Sequence, residues 1–247
     1  MVHTPYRRIV LKLSGEVLGG RERAVLDIDF AGAVLAQIKA VVARGVEVGV
    51  VVGGGNILRG SEAAKRGLGR VAADSIGMLG TVVNGVALKD LARGLGLDLR
   101  VMSCIPVSTF AEPYSVDGAL AHLKAGRPVV FVGGTGNPFL TTDTAAALRA
   151  AEIGADAILK ATKVDGVYTA DPVRDPSARR FETITFEDAI AQGLGFMDRA
   201  ALCLCSGARI PVVVFDIFEE KSIERVVRGE RIGTVVMGVS HGREDSH

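Results

Sequence analysis

Three glycine-bearing turns and one lysine carry most of the chemistry legible in this chain. Lys12-Leu13-Ser14-Gly15, Gly53-Gly54-Gly55-Asn56 and Gly133-Gly134-Thr135-Gly136-Asn137 each follow a short β-branched run, where a strand would end. Glycine lets backbone N–H groups converge on an anion, and a helix starting just after such a turn adds positive potential. A single turn of this kind often uses glycine for steric reasons alone. Three in one chain, one of them with a lysine, point to phosphate. Lys12 reads either as an ammonium that reaches a phosphoryl group or as a solvated strand-end charge. Arg59 follows the triple glycine. Asp143 opens a helix after the third turn, either as an N-terminal charge worth ~1 kcal/mol or as a carboxylate that holds cationic side chains. Lys160 to Pro172 offers polar and aromatic groups suited to a nucleobase, though alone it is an ordinary turn.

The common phosphate signatures are absent. No G-x-x-x-x-G-K-[ST] occurs, so a P-loop is excluded. The dinucleotide fingerprint fails because Leu58 and Phe139 stand at the third glycine position. Neither H-R-D nor D-F-G is present.

The elements that must position these turns alternate. Strands are expected at 9–11, 46–52, 99–102, 129–132, 157–159, 212–215 and 234–236. Helices are expected from Asp27 or Asp29 to Gly45, from about Asp74 to Arg93, and over Ser115–Lys124. Others run from Thr142 to Gly154, after Thr185 with Asp188 as a weak capping box, across Arg199–Ser206 and over Ser222–Arg228. Residues 165–181 read as turns or a hairpin, and the tail from Val239 to His247 as frayed. Such alternation predicts an α/β fold, a three-layer α/β/α sandwich with a mainly parallel central sheet, in one domain over residues 1–247. Ligands of such sheets collect at the carboxyl ends of the strands.

Composition narrows the function. Hydrophobic residues make up 48% of the 247, and 29 Lys plus Arg against 28 Asp plus Glu leave a net charge of +1. That balance supplies no basic footprint for nucleic acid or a membrane surface, so neither is expected as a partner. Apolar segments are expected to break before the ~18 residues of a membrane span, and the start lacks a signal-peptide pattern. Cys104, Cys203 and Cys205 read as buried small hydrophobes, without the spacing of a zinc site. A cytoplasmic location is expected.

Five segments in this order resemble the amino-acid-kinase superfamily and, within it, the bacterial UMP kinases. They are K-L-S-G-E at 12–16, V-V-G-G-G-N at 51–56 with Arg59-Gly60, G-M-L-G-T-V-V-N-G at 77–85, G-G-T-G-N-P-F-L-T-T-D at 133–143, and L-K-A-T-K-V-D-G-V-Y-T-A-D-P at 159–172. The likeness spans about residues 7 to 238. Asp74 ahead of G-M-L, together with the 135–143 segment, is what distinguishes the UMP kinases within the superfamily.

The resemblance implies transfer of the γ-phosphoryl group of ATP to UMP, with Mg²⁺ carried on the ATP. It gives Lys12, Leu13, Ser14, Gly15, Gly55 and Arg59 to the ATP phosphates, and Thr162, Tyr168 and Asp171 to the adenosine. Gly54, Asp74, Thr135, Gly136, Asn137, Pro138, Phe139, Leu140, Thr141 and Thr142 would form the UMP site. Lys12 would neutralise the transferring group, Asp143 would orient the cations, and Lys160 is a second candidate lysine. A homohexamer inhibited by UTP is also implied. The chain departs from the family at Gly20–Val25, charged where a glycine-rich effector loop is usual, so a GTP response is not carried over. Gly80 replaces the usual alanine and Ser75 a bulkier residue.

The chemistry is self-consistent: a phosphate nucleophile with a second pKa of about 6 is already ionised at neutral pH and needs no general base. Two alternatives stay open on the residues, a sister kinase acting on a carboxylate such as N-acetylglutamate and a non-catalytic nucleotide-binding or oxyanion-storage protein.

Overall fold

The computed structural model describes residues 4–22, 24–172 and 174–238; the tail read as frayed lies outside them. In chain order the elements are β1 (Arg8–Leu13), α1 (Gly15–Leu18), α2 (Ile28–Val42), β2 (Glu47–Val52), α3 (Gly60–Lys65), α4 (Arg70–Gly94), β3 (Arg100–Ser103), β4 (Glu112–Pro113) and α5 (Val116–Lys124). They continue with β5 (Val129–Val132), α6 (Thr142–Ile153), β6 (Ala157–Thr162), β7 (Thr183–Thr185), α7 (Phe186–Ala191), α8 (Arg199–Ala208), β8 (Val212–Asp216), α9 (Ser222–Val227) and β9 (Thr234–Met237).

One sheet runs in the order β4-β3-β5-β2-β1-β6-β8-β9-β7. Every pairing is parallel except β8 with β9. Because strand side chains alternate, each central strand feeds two cores. Ile9, Leu11 and Leu13 of β1 join the core under α2, α4 and α9. Val10 of β1 and Ile158 of β6 join the core under α5, α6, α7 and α8. Full burial of a side chain such as Leu11 stabilises by about 2 kcal/mol relative to exposure. This is the three-layer sandwich that the alternation predicts.

Several helix starts follow their side-chain signals. Asp27, Ser115, Thr185 and Asp198 each accept a backbone N–H of the turn they cap, a contact worth about 1 kcal/mol. Gly154 closes α6 at φ 64°, the left-handed conformation that a Cβ disfavours.

Three expectations are corrected. The helix expected from Asp74 begins at Arg70, because its N-cap Gly69 has no side chain with which to announce itself. At 25 residues, with a most apolar stretch of mean hydropathy 1.5, α4 is also long and apolar enough to cross a membrane by length and composition. Its internal glycines do not stop it, and its Thr81, Asn84 and Leu88 are buried in the fold. Of the cysteines, Cys205 is buried, Cys104 half-buried and Cys203 exposed, since Cys203 lies on the outer side of α8. Between residues 165 and 181 the described residues form turns with a single antiparallel bridge, Tyr168 to Arg180.

Candidate active site

The register of the sheet sets the site's centre. Lys12 on β1 pairs directly with Lys160 on β6. Each follows by two residues a side chain of the α6-side core, Val10 and Ile158, so both ammonium groups emerge on that side. There α6 begins. Thr141 caps it, its hydroxyl accepting from the N–H groups of Asp143 and Thr144 and donating to Asp198 Oδ2 at 2.5 Å. Asp143 is thereby held at the first turn of α6. Its Oδ1 receives Lys12 Nζ at 2.5 Å and Lys160 Nζ at 2.6 Å.

Both lysines are only 6% exposed. Burial alone would raise the Asp143 carboxyl, but Lys12 and Lys160 outweigh it and hold it below its ordinary value. Burial, then the Lys12 charge, pulls Lys160 down to about 8, against the opposing pull of Asp143. Two cations on one anion leave the centre net positive, which suits a phosphoryl group. Cys205 lies below it, its thiol pushed up to about 12 by burial and then by Asp143 and Asp198, and so unreactive.

Around this centre the first two glycine turns interlock. A Cβ on Gly15 would stand 2.6 Å from Gly55 N, and one on Gly53 2.6 Å from Gly15 N. Ser14 caps α1 through Val17 N at 3.2 Å. Leu13 is wholly buried in the core, so its contribution to a ligand is confined to its backbone. Arg59 pairs with Glu16 across the two turns. The third turn is left-handed at Gly133, Gly134 and Gly136, with φ of 78°, 57° and 80°.

A cleft of about 330 Å³ opens beside these turns, lined by Gly54, Gly55, Arg59, Asp74, Asn137, Leu140, Thr141 and Thr142 among the expected residues. Glu16, Arg70, Met78 and Thr81, which the sequence reading missed, also line it. Asp74 Oδ2 accepts Arg70 Nε at 2.7 Å and the Phe139 N–H at 2.8 Å. Phe139 is itself left-handed at φ 69°, with the Arg70 guanidinium 5.4 Å from its ring centre. Thr135 lines a neighbouring cavity instead, with Cys104, Tyr114, Arg149 and Glu152.

The segment expected to hold a nucleoside continues from the end of β6. Thr162 donates to the Val164 carbonyl at 2.6 Å, and Tyr168 to Asp165 Oδ1 at 2.7 Å. Asp171 is half-exposed and lies 3.4 Å from Arg174 Nε.

A parallel sheet with glycine turns at its strand ends and paired buried lysines on a helix-borne carboxylate makes a site suited to phosphate groups, built without a P-loop. Residues 7–216 match the amino acid kinase family, to which the chain belongs. It is similar to a uridylate kinase of Legionella pneumophila (strain Lens), 48% identical over 236 residues, covering 96% of this chain and 95% of that one. It also resembles a uridylate kinase of Methylococcus capsulatus, 47% identical over 237 residues and covering 96% and 99% of the two chains. The crystal structure of a UMP kinase from Bacillus anthracis superposes with a TM-score of 0.91 at 38% identity, covering 96% of this chain and 98% of that one.

Proposed function

We propose that this chain is a UMP kinase, moving the γ-phosphoryl group of ATP to UMP to give UDP and ADP. The observation that carries the reading is the pair of buried ammonium groups, Lys12 and Lys160, joined on Asp143 where the strands and glycine turns end. The near-full-length likeness to uridylate kinases supports UMP as acceptor.

The UMP phosphate is the nucleophile and is ionised at neutral pH, so the protein's work is to align two anions and offset the charge between them. Lys12, the backbone of Leu13 to Gly15, Gly55 and Arg59 take the ATP phosphates; Thr162, Tyr168 and Asp171 take the adenosine. The cleft beside Gly54, Asp74 and the 135–142 loop takes UMP, with Asp74 accepting ribose hydroxyls. Asp143 keeps Lys12 and Lys160 on the transferring group. Mg²⁺ carried on the ATP phosphates would supply further charge neutralisation there. Among the described residues no cluster of His, Cys, Asp and Glu is set to hold it, and Asp143 already serves two ammonium groups.

The chain acts as one domain in the cytoplasm, where both nucleotides are found, and serves pyrimidine nucleotide synthesis. Exposed Val71, Ile76, Leu79, Val83 and Val86 along α4 give an apolar surface for self-association, consistent with a homohexamer. UTP shares the uracil and ribose of UMP and would inhibit by competing for its recognition.

The test is ADP formation by the purified protein with Mg²⁺-ATP and UMP, CMP, dUMP, N-acetylglutamate or no acceptor. Turnover selective for UMP is expected. ATP binding without acceptor-dependent turnover would replace this reading with a storage or binding role.

A further inference from the structure

The G-M-L-G-T-V-V-N-G segment of α4 contains two polar side chains to which the phosphoryl chemistry gives no part. Thr81 and Asn84 are each 1% exposed, and three residues apart they share one helix face. Asn84 Nδ2 donates to the Gly53 carbonyl at 2.7 Å and to Asn56 Oδ1 at 2.8 Å, while Asn56 Nδ2 donates back to Asn84 Oδ1 at 2.9 Å. Thr81 Oγ1 accepts the buried Gly133 N–H at 2.7 Å and donates to the Met78 carbonyl at 2.6 Å. One face of one helix therefore grips the first residue of the second glycine turn and the first residue of the third. Those turns leave adjacent strands, β2 and β5. The helix also abuts the second turn directly: a Cβ on Gly54 would lie 2.2 Å from the Gly77 carbonyl.

Apolar residues of similar size would pack on the sheet without the cost of burying polar atoms. What they could not do is fix the two turns relative to one another. Resting on the UMP kinase reading, we propose that Thr81 and Asn84 are positioning residues for phosphoryl transfer. Asn84 sets the turn whose Gly55 meets the donor phosphates and whose Gly54 borders the acceptor, Thr81 sets the turn that begins the acceptor loop, and α4 is the rigid bar that holds their separation. In-line transfer is steep in that separation, since a misplacement of about 1 Å can cost on the order of a hundredfold in rate.

The geometry predicts effects that separate by substrate. Thr81→Val keeps the shape and removes the hydroxyl, while Thr81→Ser keeps the hydroxyl. Steady-state rates are measured for both and for the wild type, varying ATP and UMP in turn. Thr81→Val is expected to lower kcat by roughly tenfold or more and to raise the KM for UMP several-fold, with the KM for ATP within about twofold. Thr81→Ser is expected to restore kcat to within about threefold of wild type. A folded Thr81→Val enzyme with normal kcat and normal KM for UMP would overturn the proposal. So would equal increases in both KM values, or a Thr81→Ser variant as impaired as the valine. Should Thr81→Val not fold, Asn56→Ala breaks the paired amide bonds by which Asn84 holds that turn, leaving only its bond to the Gly53 carbonyl. It is expected to lower kcat several-fold and to raise the KM for ATP more than that for UMP, and unchanged kinetics would sink the proposal. Wild-type protein inactive toward UMP would defeat the kinase reading instead, so the two failures are distinguishable.

Discussion

Replacing Asp143 by asparagine keeps the shape of the side chain and removes the negative charge that Lys12 and Lys160 share. The two ammonium nitrogens sit within 2.5 and 2.6 Å of the same oxygen, which places them no more than about 5 Å apart. At that separation and an effective dielectric of ~20 they repel by about 3 kcal/mol, or about two pKa units. Asp143 opposes that repulsion, although burial and the Lys12 charge together still hold Lys160 down. Losing the pull should move Lys160 further below about 8, favouring a pair in which one of the two amines is neutral. The assay is kcat/KM for ATP against pH at saturating UMP, which reports groups of the free enzyme. For the wild type, activity is expected to fall as pH rises through about 8. In Asp143→Asn the alkaline fall should begin at lower pH, by on the order of a unit or more, and kcat should drop roughly a hundredfold to a thousandfold. An alkaline limb unmoved from wild type, with kcat within about threefold, would refute the reasoning.

Three further outcomes are expected. Lys12→Ala should lower kcat by roughly a hundredfold or more; steady-state rates check this, and a near-normal kcat would remove Lys12 from the chemistry. Asp74→Ala should mainly raise the KM for UMP, and because Asp74 also accepts the Phe139 N–H, proteolysis of the 135–142 loop should quicken with it. Stability and activity should part company at high pH. The folded-state value of Lys160 is about 8 against an ordinary 10.5, so the cost of burying its charge is fully present below 8. That cost is relieved as pH climbs toward 10.5, and this group's contribution to stability rises over the window in which activity falls. Asp143 acts in the opposite sense: its depressed pKa stabilises the fold above its ordinary 3.8, and the contribution is lost as pH drops below that. Urea melts across pH, read for wild type and Lys160→Met, separate the two contributions.

Much of this fold was legible because its determinants are local. Val129–Val132 and Val212–Phe215 are apolar runs too short for helices, and Asp27, Ser115 and Gly154 mark helix ends by side-chain chemistry or its absence. What escaped was either unmarked or non-local. Gly69 gives no cap signal, so the sequence pattern places the start of α4 four residues late. β4 and β7 are two and three residues long, below the reach of any period. Lys12 and Asp143 were visible as candidates, but their union with Lys160 depends on the β1–β6 register, which no window of sequence contains. Asp198 was missed for the same reason: it is the cap of α8, yet its carboxylate takes the hydroxyls of Thr141 and Thr144 more than fifty positions earlier. Thr81 and Asn84 were in view within a recognised motif, and only the fold shows that they reach out to two separate turns.

The most direct measurement follows the phosphoryl group itself. Protein incubated with Mg²⁺ and ATP labelled at the γ-phosphate, plus UMP, should place the label on the β-phosphate of UDP, one ADP appearing for each UDP. Label released only as inorganic phosphate, or retained on bound ATP whether or not UMP is present, would contradict the account at its centre.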